Sequence, residues 1–191
     1  MLKSNVLSLH ALSSIYFHFC ILAKQIEKGY KFKTGLTLYP TYQISFEFYA
    51  VSFEKQVAES IIHFTATNNN CCNSGDRLIG LWTPGTGTAV DSNSLLFINE
   101  INGKANNALV TSKKYHAKQW INVVITQRVL NGKYVLTVVV NSEVIREMEN
   151  TSPQVFENVI VYVSDPWYIP LQGTIRNIKI ETGKHISCLI K

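Results

Sequence analysis

From Trp120 to Ile180 the chain is a succession of short β-branched runs parted by turn residues, a pattern that reads as consecutive antiparallel strands. Tyr134, Leu136, Val138 and Val140 share one face of such a strand, and Val135, Thr137 and Val139 share the other. The Asn131-Gly132 pair before them accepts positive φ at both turn positions and closes a tight hairpin. The same grammar runs upstream. Ile44, Phe46 and Phe48 alternate with Ser45, Glu47 and Tyr49, and Ile62, Phe64 and Ala66 alternate with Ile61, His63 and Thr65. Further strands are predicted at 35–39, 77–82, 94–101, 108–112, 143–148, 156–163 and 172–181. In the last of these Ile175 is out of phase with Ile178 and Ile180, so a β-bulge near Arg176 or Asn177 is needed to turn all three inward. The polar stretches 68–76 and 164–170 read as loops.

The chain has 191 residues, 46% of them hydrophobic and 16% charged, which suits one domain with a sizeable core. The formal net charge of +5 favours acidic partners, but no nucleic-acid-binding motif accompanies it. Lys3 precedes an uncharged apolar run from Val6 to Ala23, after which Lys24, Glu27 and Lys28 return the chain to water. This predicts a secretory signal peptide over residues 1–23, cleaved after Ala23, with a signal-anchor that spans the membrane once as the alternative. Residues 24–191 then form a single domain.

Export would leave Cys71, Cys72 and Cys188, an odd number. Adjacent cysteines rarely bridge one another, so the expected disulfide joins Cys71 or Cys72 to Cys188. A chain that stays in a reducing compartment would carry free thiols instead. Neither spacing nor neighbouring histidines suggest zinc. Asn150-Thr151-Ser152 is the sole glycosylation sequon and is read as lying in a turn.

About eleven strands exceed what an immunoglobulin sandwich holds, and a two-sheet antiparallel jelly roll fits better. The runs Phe46-Glu47-Phe48, Ile61-Ile62-His63-Phe64, Trp120 to Ile125, Tyr134 to Val144, Val161-Tyr162-Val163 and Gly173 to Ile180 resemble the laminin G-like modules of the concanavalin A-like lectin/glucanase superfamily. The resemblance covers nearly all of the chain after the signal segment. It implies a lectin-like sandwich, and it departs at Thr174, where such modules often carry a cysteine. Some of these modules hold calcium at the sandwich rim. Asp76 is the candidate ligand, with Asp91 beside Asn93 and Asp165 the other loop carboxylates, although a turn-capping role explains Asp76 and Asp165 without a metal.

Glucanases on this sandwich use carboxylates at alternate strand positions. Glu147 and Glu149 alternate here, but within the charged run Arg-Glu-Met-Glu, which reads as a solvated face. No nucleophile elbow is present. The expectation is a non-catalytic recognition module that binds glycan or an extracellular protein; a structural adhesion component and a divergent glycoside-active enzyme are the alternatives. Sugars stack on aromatic rings and bond amides, so Trp82, Trp167 and Tyr168 near the loops are the candidate ligand-binding residues, with Asn68, Asn69 and Asn70 beside them. Trp120 is expected in the core. Lys113, Lys114, His116 and Lys118 crowd one turn with no acid among them, which suits a sulfated polysaccharide or simply a solvated turn.

Overall fold

The computed structural model describes residues 16–17, 23–53, 57–84 and 93–183. Its strands are β1 (Tyr16–Phe17), β2 (Lys24–Gln25), β3 (Tyr30–Leu38), β4 (Tyr42–Ala50), β5 (Glu59–Thr65), β6 (Ile79–Thr83), β7 (Leu96–Ile101), β8 (Lys104–Val110), β9 (Trp120–Leu130), β10 (Lys133–Val140), β11 (Glu143–Asn150), β12 (Phe156–Val163), β13 (Ile169–Pro170) and β14 (Gly173–Thr182). The strands longer than two residues are those the alternation predicts, with shifted ends. β8 starts at Lys104 because the Asn102-Gly103 turn, with φ of 56° and 67°, returns the chain at once.

Two sheets face each other. The first runs β1-β14-β4-β9-β10-β11 with β2 also on β14, and the second runs β3-β12-β5-β6-β7-β8 with β13 on β5. Pairing is antiparallel except for the short β13–β5 contact. Burial follows the two-residue period. Ile44, Phe46 and Phe48, then Ile121, Val123 and Ile125, then Leu136, Val138 and Val140, all point between the sheets. From the second sheet Ile62, Phe64, Ile79, Leu81, Phe97 and Val161 meet them. Burying side chains of this size contributes about 1.5–3 kcal/mol each, so the face-to-face core carries most of the stability.

The bulge in β14 forms where the phase of its isoleucines requires it. The β4 register slips between Arg176 and Lys179, Asn177 takes φ of 54°, and Ile175, Ile178 and Ile180 are each 1% exposed. The outer faces of the two sheets differ. On the first sheet the outward side chains of β4, β9 and β10, Thr137 excepted, are partly or fully exposed, as an antiparallel sheet with one wet side requires. On the second, β5 is buried along its whole length, since segments 66–78 and 164–171 lie across its outer side. Of the predicted signal segment, only Tyr16–Phe17 and Ala23 are among the described residues, and Tyr16–Phe17 pairs with Glu181 and Ile180.

Candidate functional site

The segments covering the second sheet are held by one carboxylate. Asp165 sits just after β12 and is fully buried. Its Oδ2 accepts from Ser60 Oγ at 2.9 Å and from Trp82 Nε1 at 3.0 Å, and lies 3.3 Å from His63 Nδ1. Its Oδ1 accepts the backbone N–H groups of Trp167 and Tyr168 at 3.0 and 2.9 Å. Burial opposes ionisation of this group. The hydrogen bonds from His63, the Tyr168 backbone and Ser60, with the charge of His63, outweigh it and hold the carboxyl below the ordinary aspartate range. The other His63 nitrogen, Nε2, meets the Asp76 carbonyl at 2.8 Å, so the imidazole ties both covering segments to β5.

Ser60, His63 and Asp165 are the residue types of a hydrolytic triad in a different arrangement. The hydroxyl donates to the carboxylate rather than to the imidazole, and all three are fully buried.

Arg77 makes the second knot. Its Nε donates to the Asn70 carbonyl, Nη1 to Asn106 Oδ1, and Nη2 to Asn70 Oδ1 and the Tyr168 hydroxyl, over 2.8–3.1 Å. The guanidinium lies 5.3 Å from the Trp82 ring centre and 5.9 Å from that of Tyr168. Trp167 packs tilted against His63 at 5.6 Å and edge-on to Tyr162 at 6.0 Å. Tyr162 in turn donates its hydroxyl to Asn68 Oδ1 at 2.5 Å. Trp167 and Tyr168 remain half-buried, with Pro166 and Ile169 exposed on either side. The result is an aromatic and amide surface on loops whose backbone is fixed from below.

The structure thus gathers Trp82, Trp167, Tyr168, Asp76, Cys71 and Cys72 over one sheet, and Trp82 and the two cysteines take roles other than those expected. Trp82 is not a sugar platform. It is 1% exposed because β6 points it into the covered face, where it lies over Gly80 and bonds Asp165. Asp76 holds its own loop: it accepts from the Thr67 hydroxyl and, at 2.8 Å, from the Asn73 backbone N–H. Among the described residues no group of three His, Cys, Asp or Glu side chains stands together as a metal would need. Asp91 and Cys188 lie outside the described residues.

The expected bridge from Cys71 or Cys72 to Cys188 is not what forms. Cys71 and Cys72 are bonded to each other, across a cis peptide that brings their Cα atoms to 3.2 Å. The sequon reading is corrected too. Asn150 ends β11 and faces inward, 6% exposed; its Nδ2, the atom that would carry a glycan, donates to Gln127 Oε1 at 2.8 Å.

Lys113, Lys114 and Lys118 are exposed on the turn between β8 and β9. The Lys113 ammonium is paired with Glu143 on β11, which lowers the positive potential of the turn. Lys118 has φ of 63°, and its backbone N–H is tied to the Ala50 carbonyl at 2.8 Å. Glu147 and Glu149 are exposed on β11, and Glu149 pairs with Lys133 at 2.8 Å, as a solvated face should. Trp120 departs furthest from expectation. It starts β9 pointing out of the first sheet, half-buried, because Ile121, Val123 and Ile125 take the inner face. Sequence reasoning missed Asp165 as the hub, and its only trace there is the Asp-Pro pair opening a turn.

No family model matches the chain, and no curated protein matches it. Solved structures do. A native heptameric SAP-like pentraxin from Limulus polyphemus is similar with a TM-score of 0.55 and 13% identity, over 85% of this chain and 77% of that one. The CBM40 of a Ruminococcus gnavus IT-sialidase, bound to alpha2,3 sialyllactose, gives 0.50 and 12% over 85% and 92%. Domain 4 of AbnA, a GH43 extracellular arabinanase from Geobacillus stearothermophilus in complex with arabinotriose, gives 0.50 and 18% over 80% and 66%. At such identities the likeness is one of fold. It bears out the two-sheet antiparallel jelly-roll architecture without reaching laminin G modules in particular: the chain folds as a jelly-roll β-sandwich.

Proposed function

We propose that the chain is a secreted, non-catalytic recognition module that binds glycan on the surface formed by Trp167, Tyr168 and the neighbouring amides of 68–70. One observation carries this reading. The two aromatic residues are half-exposed on a loop whose backbone N–H groups are both anchored by a buried carboxylate. A ring already fixed in place loses little freedom when a sugar stacks on it, and such preorganisation favours affinity. Two of the similar structures hold oligosaccharides, which supports a sugar as the ligand class. Export is part of the reading, with a mature chain starting at or near Lys24; secreted protein that retains Met1 would refute that part.

The test is a glycan array probed with wild type and Trp167→Ala. Removing the ring forfeits the area a sugar would cover, so affinity should fall by roughly tenfold or more. Binding confined to a protein partner, with no glycan selected, would instead favour the adhesion alternative.

A further inference from the structure

The first sheet carries on its open side a constellation that the loop surface does not use. β4, β9 and β14 lie side by side there, and register places Tyr49 opposite Trp120, Glu47 opposite Asn122, and Arg176 opposite Glu47. The bulge in β14 gives this row its geometry. Besides sending Ile178 and Ile180 into the core, it lets two consecutive residues reach one carboxylate. Arg176 Nε donates to Glu47 Oε2 at 2.8 Å with Nη2 at 2.7 Å from the same oxygen, and Asn177 Nδ2 donates to Oε1 at 3.1 Å.

The guanidinium so held lies over the Trp120 indole, 3.7 Å from the ring centre, and Tyr49 flanks the indole at 5.7 Å with a tilt of 55°. Burial works against ionisation of Glu47, yet the bonds from Arg176 and Asn177 and the Arg176 charge keep its carboxyl below the usual glutamate range. Arg176 and Glu47 stay 36% and 24% exposed, so the pair faces solvent.

We propose that this face is a second saccharide site, selective for neutral sugars that present a vicinal pair of hydroxyls. Three features fit that class. Arg176 and Glu47 cancel in charge, so the pair itself adds no net attraction for an anionic glycan. Glu47 accepts and the Arg176 Nη1 edge donates, and Nη1 bonds none of the described residues, so adjacent hydroxyls of one ring find one acceptor and one donor. Tyr49 and the indole edge supply apolar area for the C–H face of the sugar, with the exposed Asn122 as a further polar neighbour. This site rests on the reading of the chain as a glycan-binding module. It adds valency: the loop surface covers one sheet and this site the other, so one module would bridge two glycans.

The experiment reads the two sites separately. The three tryptophans give three indole N–H resonances in a 15N-correlation spectrum. Trp82, buried against Asp165, serves as the internal control. Lactose and cellobiose are titrated to millimolar concentration, with a sulfated heparin tetrasaccharide as the anionic counterpart. The Trp120 resonance should shift saturably with at least one neutral disaccharide and not with the tetrasaccharide. Glu47→Gln and Arg176→Lys, both surface changes whose folding the same spectrum verifies, should each weaken that titration by about tenfold, the loss of a charged hydrogen bond.

A Trp167 shift without a Trp120 shift would overturn the second site and leave the loop reading standing. A Trp120 shift alone would do the reverse. Silence at both indoles would overturn both, and an unchanged Trp120 titration in Glu47→Gln would remove the sugar-binding role from the ion pair.

Discussion

Asp165→Asn separates a carboxylate that organises the covering loops from one that merely sits beneath them. The substitution preserves size, and an amide oxygen in the Oδ1 position can still accept from Trp167 and Tyr168. The amide nitrogen, however, would face Trp82 Nε1–H, itself a donor, where Oδ2 now accepts at 3.0 Å. Leaving that buried donor unsatisfied costs about 1–3 kcal/mol, and exchanging the remaining charge-assisted bonds for neutral ones adds about 1 kcal/mol. The expected loss is about 3 kcal/mol, which for a chain of this size corresponds to roughly 6–12 °C in Tm. Equilibrium unfolding in urea, followed by near-ultraviolet circular dichroism of the tryptophans, measures it.

The pH dependence supplies an independent check. The folded carboxyl of Asp165 is held below its ordinary range, so the unfolded chain takes up its proton first on acidification. The stabilisation is therefore present in full well above the unfolded value of about 3.9, and it is lost as the pH falls through the folded value. Wild type and variant should converge in acid. A loss under about 1 kcal/mol at neutral pH, or a gap that does not narrow in acid, would refute the hub.

Three further outcomes are expected. Gly80→Ala should destabilise the fold by about 1–3 kcal/mol, read by thermal melting, because the added Cβ would stand 2.0 Å from the Trp82 ring. Protein secreted from a eukaryotic cell should show no mobility change on treatment with an N-glycan-removing glycosidase, since the Asn150 amide is engaged inside the fold; a shift that is lost in Asn150→Gln would refute this. Peptide mapping without reduction should place a disulfide between Cys71 and Cys72 within one peptide, and a fragment linked to Cys188 would contradict the structure.

Strand existence, the hairpin at Asn131-Gly132, the inner faces of β4, β9 and β10, and even the bulge at Asn177 were legible in the sequence. The reason is physical: a strand has a period of two, and an isoleucine out of phase with a buried series must be reset by one residue. Trp82 and Trp120 show where that logic stops. Each points outward from its strand, yet one is sealed and the other lies half-open beneath an arginine. Alternation tells which residues share a face, but not whether a distant loop lies across it. That depends on Asp165 meeting Ser60 and Trp82 from 105 and 83 residues away. Likewise the Asn150 sequon reads the same whether its amide faces water or Gln127. The local code determined the strands and their two faces; the packing of remote segments decided which faces remained open to a ligand.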